Sequence, residues 1–107
     1  MPSRVISLPA KNKICIDLGY KSIASENDLS HRVYFLNAPA LKPFSHSEEH
    51  MVIEVDNNHE YKIGDILYTL PIHICPTVAL YDAGCCIENG KIENSWKIIA
   101  RDRKIVY

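Results

Sequence analysis

The sequence predicts a mainly β protein: a single compact, mostly antiparallel barrel or sandwich with little helix. Three observations carry this expectation. Apolar residues recur with period two rather than 3.6, in short runs rich in Val, Ile, Tyr and Phe. Pro, Gly, Asn or Asp lie between most of these runs, as expected for strands joined by turns. The stretch CIENGKIEN (86–94) sets Asn89-Gly90 between two Ile-containing runs, and that dipeptide readily takes the positive φ angles of a two-residue hairpin turn.

Taken in order, RVISL (4–8) and KICID (13–17) read as strands. SIASENDLS (22–30) is the best helix candidate, since Ser25 can cap a short turn, but its apolar positions sustain no stripe. RVYFL (32–36) is again a strand. NAPALKPFSHSEEHM (37–51) then interrupts the pattern: Pro39 and Pro43 oppose helix, and Ser45 to His50 is a polar, ionisable run. It reads either as a solvated loop or as a binding loop carrying His46, Glu48, Glu49 and His50 to a site. MVIEV (51–55), DILYTL (65–70) and SWKIIA (95–100) complete the strands.

The 107 residues suffice for one domain, and 47% of them are apolar, enough for a core. Twelve basic and thirteen acidic residues nearly cancel, with no basic patch or basic–aromatic stripe, which argues against nucleic acid as a partner. No apolar run is long enough to cross a bilayer, and MPSRVISLPAKNK lacks a signal peptide's apolar stretch. The expected location is therefore the cytoplasm, with no membrane partner. Cys15, Cys75, Cys85 and Cys86 form no C-x-x-C pair, so free thiols or metal ligands are expected rather than disulfides. Cys85 and Cys86 are adjacent, and at least one of them is expected to fill core.

The segment PIHICPTVALYD (71–82) carries the chemistry-bearing pair. On a strand His73 and Cys75 would face the same way, about 6.5–7 Å apart at the backbone. Imidazole nitrogen and thiolate could then share one ion, and zinc accepts both. Pro76 lacks an N–H, so the strand is expected to leave its ladder there, near a strand end. The other reading is a buried cysteine beside a hydrogen-bonded histidine. Two ligands do not make a structural zinc site, which wants four; a metal here would keep open positions for water or substrate.

Four stretches, in order, resemble the C-terminal domain of the D-threonine aldolase and D-serine dehydratase family. PIHICPTVALYD resembles its metal-binding segment. IDLGYKSIASEND (16–28) is similar to its Asp-x-Gly-x-Lys segment, SEEHM (47–51) to its Ser-Glu-Glu-His segment, and SWKIIARDR (95–103) to its closing strand. The resemblance implies an N-terminal α/β barrel of the alanine-racemase type, carrying pyridoxal phosphate on a lysine, with a β domain that contributes a divalent metal. His73 and Cys75 match the metal ligands. The second ligand is typically Cys with zinc in the dehydratases and Asp with manganese in the aldolases, so Cys75 leans toward zinc. His50, Glu49 and Asp82 are the candidates for the outer shell around the ligands. The implied substrate is a D-3-hydroxy amino acid whose hydroxyl and carboxylate reach the ion.

The resemblance covers about the C-terminal third of that family's length. Residues 1–107 are expected to equal the β domain alone, without the barrel. The four glycines form no G-x-G phosphate cradle, and Lys21 belongs to the β domain, so it is not read as the cofactor lysine. The chain alone is expected to be inactive, either excised from a longer enzyme or the product of a truncated gene. Its expected partners are the pyridoxal-phosphate barrel and a second copy in a homodimer. The competing functional reading is a stand-alone binding or regulatory module, and the plainest is a small β protein with both residues in its core. An apolar surface where a barrel docks is a further expectation.

Overall fold

The computed structural model describes residues 1–107. The strands are β1 (Pro2–Ala10), β2 (Lys13–Ile16), β3 (Val33–Phe35), β4 (Lys42–His46), β5 (Met51–Glu54), β6 (Ile66–Pro71), β7 (Ala83–Glu88) and β8 (Lys91–Lys97), with one short helix, α1 (Ile74–Val78), between β6 and β7. The first six form one antiparallel sheet in the order β3-β6-β1-β2-β5-β4, curled into a half-barrel. The period-two reading of the sequence thus gives the fold class observed.

The curl has a local cause in β1. Its first residues pair with β6, Ser3 opposite Leu67, and the rest pairs with β2, Val5 opposite Ile16. The β1–β2 register shifts between Val5 and Ser7 and again between Ser7 and Ala10. Such irregularities bend a strand and increase its twist. The concave face collects the inward residues: Ile14 and Ile16 of β2, Val33 and Phe35 of β3, Met51 and Ile53 of β5, and Leu67 of β6, all buried. Leu18 and Ile23, from the connection after β2, close the core. Each such side chain stabilises the fold by roughly 1.5–3 kcal/mol on burial.

Three local expectations differ from the structure. The candidate helix at 22–30 yields only a 3₁₀ turn, Leu29–His31, as the missing apolar stripe allows. Within the 37–51 stretch, residues 42–46 form β4 rather than loop. Pro43 is tolerated there because β4 is an edge strand, and the ladder shifts register between Pro43 and Ser45. SWKIIA stays extended only to Lys97 and then enters a 3₁₀ turn, Ile99–Arg101.

The Asn89-Gly90 hairpin forms as read: φ is 50° at Asn89 and 75° at Gly90, positive at both turn residues. β7 and β8 make a separate two-stranded sheet, every residue of β8 is exposed, and Trp96 and Ile92 are 69% and 71% exposed. Neither Cys85 nor Cys86 is buried, contrary to expectation, because nothing packs on the hairpin; Cys15 is the cysteine that fills core. The main sheet has an apolar outer row as well. Along β6 the inward Leu67 and Thr69 alternate with exposed Ile66, Tyr68 and Leu70, and Tyr34 of β3 lies opposite Leu70.

The segment after β2 is locked to the one before β5. The Tyr20 and Lys21 N–H groups donate to the Ser47 and Glu48 carbonyls at 2.9 and 3.1 Å. The Lys21 ammonium bridges Glu49 and Glu48 at 2.8 and 2.9 Å. Hydrogen bonding to Glu49 and Glu48 holds Lys21 above the ordinary lysine value, and Lys21 in turn holds Glu48 below the ordinary carboxylate value. This contact needs glycine at position 19, where a Cβ would overlap the Glu48 backbone. Because backbone cannot swing aside, Gly19→Ala is expected to lower stability by about 1–3 kcal/mol, read as a drop in the urea midpoint; an unchanged midpoint would show that the segments do not approach this closely.

Candidate metal site at the end of the main sheet

Strand β6 ends at Pro71, five residues before the expected break at Pro76. The Ile72 N–H still donates to the Arg32 carbonyl at 3.1 Å, and the chain then turns. His73 caps α1 with φ −102° and ψ 97°, and Cys75 and Pro76 fall in the helix's first turn. Pro76 fits there because a first-turn N–H has no intrahelical acceptor. The same-face strand geometry expected for His73 and Cys75 is therefore replaced by a helix cap and a first-turn residue.

Two hydroxyls fix this turn against the segment after β2. The buried Thr77 Oγ1 donates to the His73 carbonyl at 2.8 Å and accepts from the Ala24 N–H at 3.0 Å. The Tyr81 hydroxyl donates to the Ser22 carbonyl at 2.8 Å. With residues 22 and 24 held, Glu26 comes against the imidazole, and its Oε1 pairs with His73 Nδ1. The Glu26 carboxyl is held below the ordinary glutamate value, first by its own backbone N–H and then by the His73 ring.

Glu26, His73, Cys75 and Pro76 line one cleft of about 720 Å³ together with Arg101 and Arg103. The Cys75 thiol is exposed. A larger cleft, about 880 Å³, lies between the 37–41 and 55–61 segments, but it holds no cysteine, and its single histidine, His59, accepts the Tyr61 N–H at 3.2 Å. No group of three or more His, Cys, Asp or Glu side chains is arranged to hold a metal ion. The smaller cleft does offer a nitrogen and a sulfur donor. With Nδ1 of His73 on a carboxylate, Nε2 is the free donor, an arrangement common behind zinc-binding histidines. This donor set fits zinc with two protein ligands and does not fit a closed four-ligand site.

None of the three residues expected around the ligands, Glu49, Asp82 and His50, is hydrogen-bonded to His73. Glu49 pairs with Lys21, Asp82 with Arg101 Nε at 3.0 Å, and His50 is exposed with its carbonyl accepting from Ser47. Glu26 is the side chain that pairs with His73, and no local signal links it to a histidine 47 residues later; only the resembling 16–28 segment contains it. Of the polar loop, Glu48 and Glu49 are committed to Lys21 and His46 turns inward. His46 Nδ1 lies 3.1 Å from Arg32 Nη1, its ring meets Tyr20 edge-on, and its buried Nε2 has no partner.

The chain belongs to the family described as "Putative serine dehydratase domain", whose profile matches residues 1–87. It is 30% identical over 98 residues to a D-threonine aldolase of Arthrobacter sp, and 30% identical over 88 residues to a 3-hydroxy-D-aspartate aldolase of Paracoccus denitrificans. These alignments cover 91% and 82% of this chain but 25% and 22% of the relatives, so the chain spans about a quarter of the curated relatives it matches. In fold it is similar to the D-threonine aldolase from Filomicrobium marinum, with TM-score 0.78, 19% identity, and 94% of this chain against 27% of that one. It is also similar to a D-threo-3-hydroxyaspartate dehydratase, solved as a His-to-Ala variant and as a Cys-to-Ala variant two positions further on, the latter in a metal-free form. Those matches have TM-scores of 0.70 and 0.69 at 20% identity and cover 90% of this chain and 30% of theirs.

Two outcomes follow. Thr77→Val keeps the volume but strands the buried Ala24 N–H, which is expected to cost about 1–3 kcal/mol; faster exchange of that amide measures it, and unchanged exchange would contradict the clamp. Burial, and then the Arg32 charge, holds His46 below its ordinary value of 6.5. The unfolded chain therefore binds that proton more readily, so the stability from neutral His46 is full above pH 6.5 and is lost as pH falls through the folded value. The denaturation midpoint should therefore drop as pH falls below 6.5, and His46→Phe should flatten that drop. An equal drop in both proteins would place the titration elsewhere.

Proposed function

We propose that the chain is the metal-binding β domain of a pyridoxal-phosphate-dependent lyase acting on D-3-hydroxy amino acids. The observation that carries this reading is the cleft in which His73, backed by Glu26, and the exposed Cys75 open together. His73 and Cys75 have the spacing of the histidine and cysteine replaced in the related dehydratase, whose cysteine variant was solved metal-free. The relatives act on 3-hydroxy amino acids by their names, as aldolases or a dehydratase.

Zinc is the ion this donor set favours, because a thiolate suits it better than manganese. When bound, zinc would supply a Lewis acid for the substrate hydroxyl, while pyridoxal phosphate on the preceding barrel would supply the electron sink. This chain's own part is placement. His73 and Cys75 would hold the ion at the mouth of the cleft, leaving its other positions to substrate and water. Arg103, beside them, would draw the substrate carboxylate toward the cleft.

The barrel is the partner this reading requires. The exposed row Tyr34, Ile66, Tyr68 and Leu70, and the uncovered hairpin with Ile87, Ile92 and Trp96, are the apolar surfaces available to it. Two strands alone are marginal in water and gain stability from packing against more structure.

In the barrel-containing enzyme, turnover of D-serine, D-threonine and D-threo-3-hydroxyaspartate should fall on chelation and return with zinc. His73→Ala and Cys75→Ala should each lower kcat/KM by more than about 100-fold, beyond the 10–100-fold typical of residues that only support a ligand. Full activity after complete removal of metal would overturn the reading.

A further inference from the structure

We infer that Glu26 is a positioning residue that fixes His73 as its Nδ1–H tautomer and so presents Nε2 to the ion; the inference rests on the metal reading above. A neutral imidazole has one N–H and one lone pair. If Nδ1 carried the lone pair, it would face the lone pairs of the Glu26 carboxylate; if it carries the proton, it donates a charge-assisted hydrogen bond. The pairing therefore selects Nδ1–H and leaves the Nε2 lone pair free. A neutral histidine side chain in water favours the opposite tautomer, in which Nε2 is protonated and cannot bind a cation.

The contact is held from behind rather than by chance proximity. Ile23 is fully buried and Ala24 nearly so, the Ala24 N–H is spent on Thr77, and Thr77 in turn holds the carbonyl of His73 itself. Carboxylate and imidazole thus hang from one buried hydroxyl, which limits their relative movement.

The test uses the 107-residue chain and its Glu26→Gln and Glu26→Ala variants. Long-range ¹H–¹⁵N spectra at about pH 8, above the ordinary histidine value, report which His73 nitrogen carries the proton. Zinc titration of the same spectra reports uptake even when binding is weak. The wild type should show Nδ1–H with Nε2 bare. Glu26→Ala should move protonation toward Nε2 and weaken zinc uptake by about 10–100-fold. Glu26→Gln keeps an acceptor oxygen, so it should retain the tautomer and lose only part of the affinity. A wild-type His73 protonated on Nε2, or a Glu26→Ala chain with unchanged tautomer and zinc uptake, would overturn the inference. Zinc that shifts neither the His73 nor the Cys75 resonances, with the tautomer as stated, would instead overturn the metal reading and leave the orienting contact standing.

Discussion

The Thr77 hydroxyl joins two segments that are 53 residues apart in sequence, and the candidate site is built around that junction. Its oxygen serves two partners at once, accepting from the buried Ala24 N–H and donating to the His73 carbonyl. A hydroxyl is the smallest side-chain group able to do both. Leaving the buried Ala24 N–H without this acceptor would cost the desolvation of that donor, so the junction is strongly specified. It sets where α1 begins, where Glu26 hangs and which way the His73 ring faces. Cys75 then follows from the first helical turn, and the cleft from the return of the chain at Arg101 and Arg103.

The rest of the molecule explains why such a site sits at an edge. The main sheet stops at half a barrel, so its concave face is filled by its own side chains while its convex face keeps Tyr34, Tyr68 and Leu70 in the open. The β7–β8 hairpin extends from this body without cover, and the molecule reaches 55 Å in its longest dimension. The chain thus leaves two apolar surfaces uncovered and a cleft with two donors open. Under the proposed function, a barrel bearing the cofactor would cover the first and complete the second.

Much of this was legible in the sequence, and the failures are instructive. Alternation identified β1, β2, β3, β5 and β6 because each has one face in the core, and Asn89-Gly90 identified the hairpin because the turn's positive φ angles demand such residues. β4 escaped because an edge strand with Pro43 and a polar rim carries little alternation. The His73–Cys75 pair was visible, but its setting was not. Pro71 and Pro76 both punctuate that stretch, and only tertiary contacts through Thr77 and Tyr81 decide that the chain turns into a helix at His73. Glu26 was missed for the same reason. A partner 47 residues away leaves no periodic trace, whereas Glu49 and Asp82 looked suitable by type yet are occupied by Lys21 and Arg101.

The central claim is that one nitrogen of His73 and the thiolate of Cys75 bind the same ion. X-ray absorption at the zinc edge of the zinc-loaded, barrel-containing enzyme tests it most directly. The account predicts one sulfur at about 2.3 Å and at least one imidazole nitrogen at about 2.0–2.1 Å, with lighter atoms completing the shell. It also predicts that the sulfur scatterer disappears in Cys75→Ala. A zinc shell made only of nitrogen and oxygen, with the Cys75 thiol still open to alkylation, would contradict it.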